Sequence, residues 1–180
     1  MQNEKKMLAL RELTKVHYKL VLELLNTIIS CNYTKIMPGK FYGQYGGPYV
    51  EAYSISPSLE KRVKKLLTEK INPYSVGLHV ATIKKREIKP SLDLARYIAR
   101  QCKPDNYKHT IVSSRGEQIF LYGRDVFKEN IIEAPENEGL LIVLNAEKEP
   151  LGWGYLKRLN GKELLIENIK DVGWYVRSGG

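Results

Sequence analysis

The stretch GEQIFLYGRDVFKENI, residues 116–131, decides how the second half of this 180-residue chain folds, and it is read with two later runs. These are PLGWGY, residues 150–155, and DVGWYVR, residues 171–177. PLGWGY is an apolar strand punctuated by glycine, of the kind found where one backbone passes close to another. Around the three runs, residues 107–113, 140–145, 151–155 and 164–168 are short strand candidates, most of them bounded by Gly, Pro or Asn. Short strands at such spacing predict a small barrel. Between them EAPENE, residues 133–138, reads as an acidic, solvated turn.

Upstream, KPDN at residues 103–106 places a proline and two turn formers between helical and strand patterns. It marks the expected boundary between one domain at 1–103 and another at 104–180. In the first, Leu13, Val16, Leu20, Leu24 and Ile28 recur at helical spacing, which predicts an amphipathic helix over residues 14–30 capped by Thr14. The residues before it read equally as a short strand or an extra helical turn. Residues 31–53 carry aromatics among glycines and prolines, a pattern of strands joined by tight turns.

Ser56 followed by Pro57 is a helix start, and Leu59, Val63, Leu66 and Leu67 form the stripe to be buried. A strand over residues 76–83 follows, and Ser91 can cap a third helix reaching about residue 101. Strands and helices in this order predict an α/β sandwich with a largely antiparallel sheet, so the whole chain is α+β in class.

The formal charge is +9 and its distribution is uneven. Residues 1–100 carry 18 basic and 8 acidic side chains, residues 101–180 carry 11 and 12. A basic surplus favours a polyanionic partner, because phosphate backbones exchange condensed counterions for Lys and Arg. Lys61, Arg62, Lys64 and Lys65, with Lys84, Lys85 and Arg86, concentrate the surplus in the first half. No apolar run approaches the roughly 18 residues of a membrane span and no secretory signal opens the chain, so a cytoplasmic, monomeric protein is expected.

Cys31 and Cys102 read as free thiols, and His17, His79 and His109 are scattered without partners at ligand spacing. No dinucleotide or phosphate-binding glycine loop, nucleophile elbow or metal-helix signature is present. The expectation is a protein that is not an enzyme and uses no metal or cofactor.

In this order and spacing, the three runs of the second half resemble the pseudouridine synthase and archaeosine transglycosylase (PUA) domain, a compact pseudo-barrel that docks RNA. SPSLEKRVKKLL at residues 56–67, followed by PYSVGLHVA at 73–81, resembles the N-terminal half of the nuclear import protein seven family, ribosome-biogenesis factors for the large subunit. The likeness runs from RELT at 11–14 to Arg177, is nearer to archaeal-type members, and rests most on FLYGRDV and DVGWYVR as a pair. It implies a C-terminal PUA-type pseudo-β-barrel docking unpaired, uridine-rich pre-rRNA. The N-terminal domain would touch other assembly factors or the exosome.

The resemblance carries the RNA contacts onto Arg124 beside Gly123, onto Lys157 and Arg158 after the PLGWGY strand, and onto Lys162, Lys170 and Arg177. Each has a structural alternative: Arg124 pairing with Asp125, Arg177 capping the final turn. Trp153 and Trp174 are expected at the barrel seam. The chain departs from the family in one place. Glu163 and Glu167 stand where a richer basic stripe is implied, which shifts weight to the basic first half. Two other readings stay open: a protein adaptor, and a non-catalytic subunit of an RNA-modifying enzyme.

Overall fold

The computed structural model describes residues 8–37, 39–161, 163–174 and 177. The chain forms two compact units, Met1–Asn26 with Asn32–Leu94, and Thr27–Cys31 with Ala95–Gly180.

In the first unit, strands β1 (Ala9–Glu12), β2 (Lys40–Tyr45), β3 (Val50–Ile55), β4 (Leu78–Lys84) and β5 (Glu87–Pro90) form one sheet in chain order. Every pairing in it is antiparallel. The segment before the first helix is therefore a strand rather than a helical turn. Helix α1 (Lys15–Ile28) begins where expected, with the Thr14 hydroxyl accepting from the His17 amide at 3.3 Å.

Helix α2 (Pro57–Thr68) is capped by Ser56, whose Oγ accepts from Leu59 N, and Ser91 does the same for Leu94 at the start of α3 (Leu92–Gln101). The period-2 alternation of the sheet gives it two covered faces. On one, Leu10, Tyr42, Tyr53 and Ile55 pack with Val63, Leu59 and Leu67 of α2. On the other, Tyr18 of α1 meets Phe41 edge-on and His17 stacks on Tyr45. The sandwich expected from the sequence is thus observed.

The second unit is a six-stranded, barrel-like sheet. Its strands are β6 (His109–Val112), β7 (Val126–Phe127), β8 (Ile131–Glu133), β9 (Gly139–Leu144), β10 (Pro150–Leu159) and β11 (Glu163–Asp171). They lie in the order β7-β11-β10-β9-β6-β8, and β6 with β9 is the parallel pair. Inside sit Val112, Val126, Leu141, Val143, Leu151, Leu156 and Ile166, closed over by Phe120 of helix α4 (Ser114–Leu121). Strands β10 and β11 run longer than their apolar cores, because pairing with each other carries both past the glycines and charges at their ends.

Glycine makes that pairing possible. Gly152 holds φ +154°, and a Cβ there would drive into the Lys170 carbonyl on β11. Of the two tryptophans, Trp153 is fully buried as expected, whereas Trp174 is half exposed at 51 %. Cys31 and Cys102 are free thiols in this unit, and burial pushes the Cys102 thiol up to about 11, with Cys31 near enough to add to the effect.

Candidate nucleic-acid interface

Helix α4 and the turn that leaves it are assembled by a few local bonds. The Ser113 side chain accepts from Gly116 N, and Gly116 is buried so tightly that a Cβ would press on the Asn130 carbonyl. At its other end the helix closes on Tyr122 and turns through Gly123, whose φ of +76° is a left-handed corner that suits glycine.

Five further bonds fix this corner. Asp125 Oδ1 accepts from the Asn168 amide at 2.9 Å, and Asn168 Nδ2 donates to the Phe120 carbonyl at 2.7 Å. Arg177 donates to the Leu121 carbonyl and pairs through both terminal nitrogens with Asp171, at 3.0 and 2.8 Å. Its guanidinium lies against Gly123. These bonds brace the backbone of the corner, and Tyr122 and Arg124 are exposed on it, Tyr122 at 73 %. An exposed aromatic two residues from an exposed cation, both on a braced turn, suits an unpaired nucleotide, with a base stacked on the ring and a phosphate on the guanidinium.

The six cations expected from the sequence divide by what surrounds them. Arg124 is exposed, and among the described residues its side chain has no partner, so it does not pair with Asp125. Lys170 is also unpaired among the described residues and lies opposite Trp153 on β10. Lys157 is bound to Glu167 across the strand pair, a hydrogen bond that raises its pKa. The Arg158 guanidinium donates to the Glu136 carbonyl, and its amide donates to Glu138.

Arg177 is committed to Asp171, which is buried at 2 % exposure. That matches its structural alternative: it fastens the final turn to the end of α4. Lys162 lies outside the described residues. The carboxylates that engage Lys157 and Arg158 come from β11 and from the acidic loop after β8, so strand pairing rather than local sequence brings them there.

Two features lay beyond the sequence reading. Tyr122 is part of the LYGRD run, yet its exposure depends on the helix ending at that residue. The outer face of β7, β11 and β10 is the second. Phe127 opposes Leu165 and Leu165 opposes Lys157, while Tyr155 and Leu159 lie two residues to either side. Phe127, Tyr155 and Leu159 are 43, 39 and 37 % exposed, so three large apolar side chains share this outer face with Lys157, Glu163 and Glu167. Its signature is strict alternation with the buried Val126, Leu156 and Ile166.

In the first unit, Lys64 and Lys40 both reach Glu60, at 2.8 and 3.3 Å. Lys64, with Tyr42 and Lys40 adding to it, holds the Glu60 carboxyl down at about 2. His79 Nε2 lies 2.8 Å from Glu51 Oε2, which also accepts from Thr82. His109 Nδ1 bonds the Tyr107 carbonyl. These are contacts within sheet and turn. Among the described residues no group of three or more His, Cys, Asp or Glu side chains could hold a metal ion, and no helix is long and apolar enough to cross a membrane.

Comparison with known proteins agrees with this architecture. A UPF0113 PUA domain model matches residues 108–180. A UPF0113 protein of Aeropyrum pernix is 37 % identical over 135 residues, covering 75 % of this chain and 73 % of its own, and one of Archaeoglobus fulgidus is 28 % identical over 153 residues, covering 77 % and 82 %. Among solved structures, a PUA-domain protein of Aeropyrum pernix in complex with tartrate superposes with a TM-score of 0.56 at 13 % identity over 93 % of this chain and 88 % of that one. A hypothetical protein of Pyrococcus horikoshii gives 0.52 at 16 % identity, over 93 % and 98 %. At such identities the superpositions speak for the fold. With its matched PUA domain and its archaeal relatives, the chain belongs to the UPF0113 family.

Proposed function

We propose that this protein is a non-enzymatic RNA-binding factor that assists assembly of the large ribosomal subunit by docking an unpaired segment of pre-rRNA. The single observation that carries RNA docking is the braced α4 corner, with Tyr122 and Arg124 both exposed on a turn held by Asp125, Asn168 and Arg177. PUA domains are RNA-docking modules, and an unpaired strand offers base faces that an A-form groove hides. The ribosomal assignment rests on the motif resemblance to the nuclear import protein seven family. The reading assigns no reaction and no cofactor, and places the protein in the cytoplasm as a monomer.

The test is affinity purification of the full chain from its source cells with and without ribonuclease. Enrichment of large-subunit precursor RNA, with associated proteins released by ribonuclease, is the expected result. Association that survives ribonuclease would favour a second reading, an adaptor to other assembly factors or the exosome. A specific observation supports that alternative: the exposed Phe127, Tyr155 and Leu159, with Glu167 opposite Tyr155 and Glu163 opposite Leu159, suit a protein surface better than a phosphate backbone.

A further inference from the structure

The first unit carries a second cluster that the α4 corner does not use. Register places the β2–β3 and β4–β5 turns at one end of the five-stranded sheet: Val50 pairs with Ile83, and Lys84 with Glu87. Lys84 Nζ lies 5.5 Å from the centre of the Tyr49 ring. Lys85 and Arg86 form the two-residue turn, with Lys85 at φ +57°. Lys89 pairs with Thr82, two residues from Lys84, so period 2 puts Lys84 and Lys89 on one face. Lys84, Lys85, Arg86, Lys89 and Tyr49 are all exposed, and the segment from Lys84 to Glu87 borders an open recess.

Lys19, Lys40 and Lys64 each have a carboxylate partner. Among the described residues none of Lys84, Lys85, Arg86 and Lys89 has one. Among the described residues other cations of this unit, such as Lys61, Arg62 and Lys65, also lack a carboxylate partner, but here the unpaired cations gather on one hairpin beside the exposed Tyr49 ring. Glu51, the nearest acid along β3, is committed to His79 and Thr82. Glu87 lies across from Lys84 without closing an ion pair among the described residues. Four free cations ask for a polyanion, and an exposed aromatic ring among them asks for flat groups carried by that polyanion. An acidic peptide would answer the charges and leave the Tyr49 face unused. A duplex would offer phosphates and keep its bases stacked away.

We infer that this hairpin end is a second contact for unpaired RNA, with a base stacked on Tyr49 and phosphates on Lys84, Lys85, Arg86 and Lys89. The inference rests on the RNA-docking reading above. At about 0.7 per single-strand contact, the four hairpin cations contribute about 3 to the salt slope.

The test uses the full chain in fluorescence anisotropy with a uridine-rich 20-nucleotide RNA across a salt series. The variants are a triple Lys85→Gly, Arg86→Ser, Lys89→Thr, a single Tyr49→Leu, and a double Tyr122→Ala, Arg124→Ala. Thermal unfolding confirms that each is folded. The expected result is a slope smaller by about 2 in the triple variant. Tyr49→Leu is expected to weaken binding about tenfold with the slope unchanged. Binding untouched by the first two and lost in the third overturns this inference and leaves RNA docking at the α4 corner standing. Equal losses on unpaired RNA and on duplex DNA overturn it in favour of a general polyanion surface. No RNA binding by the wild type overturns both readings.

Discussion

Gly152 shows what a single residue decides in this fold. Its φ of +154° and the Lys170 carbonyl that faces it leave no room for a side chain. Gly152→Ala is expected to cost about 3 kcal/mol or more, from backbone strain plus displacement of β11; urea unfolding measures it, and a change under about 1 kcal/mol would show that the strand pair yields easily. Glu60 gives a pH-dependent counterpart. Its carboxyl, held at about 2 by Lys64, Tyr42 and Lys40 against an ordinary 4.5, contributes stability that is full above about pH 4.5 and is lost as pH falls toward 2. The stability gap between wild type and Glu60→Gln should therefore be widest near neutrality and close between pH 4.5 and 2 in thermal unfolding. A gap constant over that range would mean the carboxyl is not depressed. At this scale the caps Thr14, Ser56 and Ser91 were legible because each acts within three residues of itself. The engagement of Lys157 by Glu167 was not, since its partner arrives from another strand.

Helix α4 is the element that turns sequence into a site. Its start depends on the Ser113 hydroxyl, its approach to the Asn130 segment on Gly116, and its end on Gly123 with the Arg177–Asp171 clamp. Ser113→Ala is expected to destabilise the protein by about 1 kcal/mol, visible as a lower urea midpoint with an unchanged slope; an unchanged midpoint would remove the cap from the account. The long elements α1, α2 and α3 followed from apolar periodicity and capping. The two-residue β7 and three-residue β8 did not, because so few residues carry no period and only the neighbouring strands give them partners. The same reason hid the shared outer face of Phe127, Tyr155 and Leu159: alternation is visible along one strand, whereas the alignment of three strands exists only once they pair.

For the whole molecule, charge and chemistry are distributed unequally. The first unit holds the unpaired cations of the β4–β5 hairpin, and the second holds the braced corner with Tyr122 and Arg124. The basic surplus of residues 1–100 was plain from composition, and the PUA likeness of the second half from its three motif runs. Which cations stay free was not, because Arg158 and Arg177 differ from Arg124 only in what the fold sets beside them. The central claim is that the α4 corner docks unpaired RNA, and the most direct measurement is fluorescence anisotropy of a uridine-rich single-stranded RNA against the full chain and its Tyr122→Ala, Arg124→Ala variant, with matched duplex DNA beside it. Tighter binding of the single strand by the wild type is expected, with at least a tenfold loss in the variant and weak duplex binding in both. Equal affinity of wild type and variant for the single strand would contradict it.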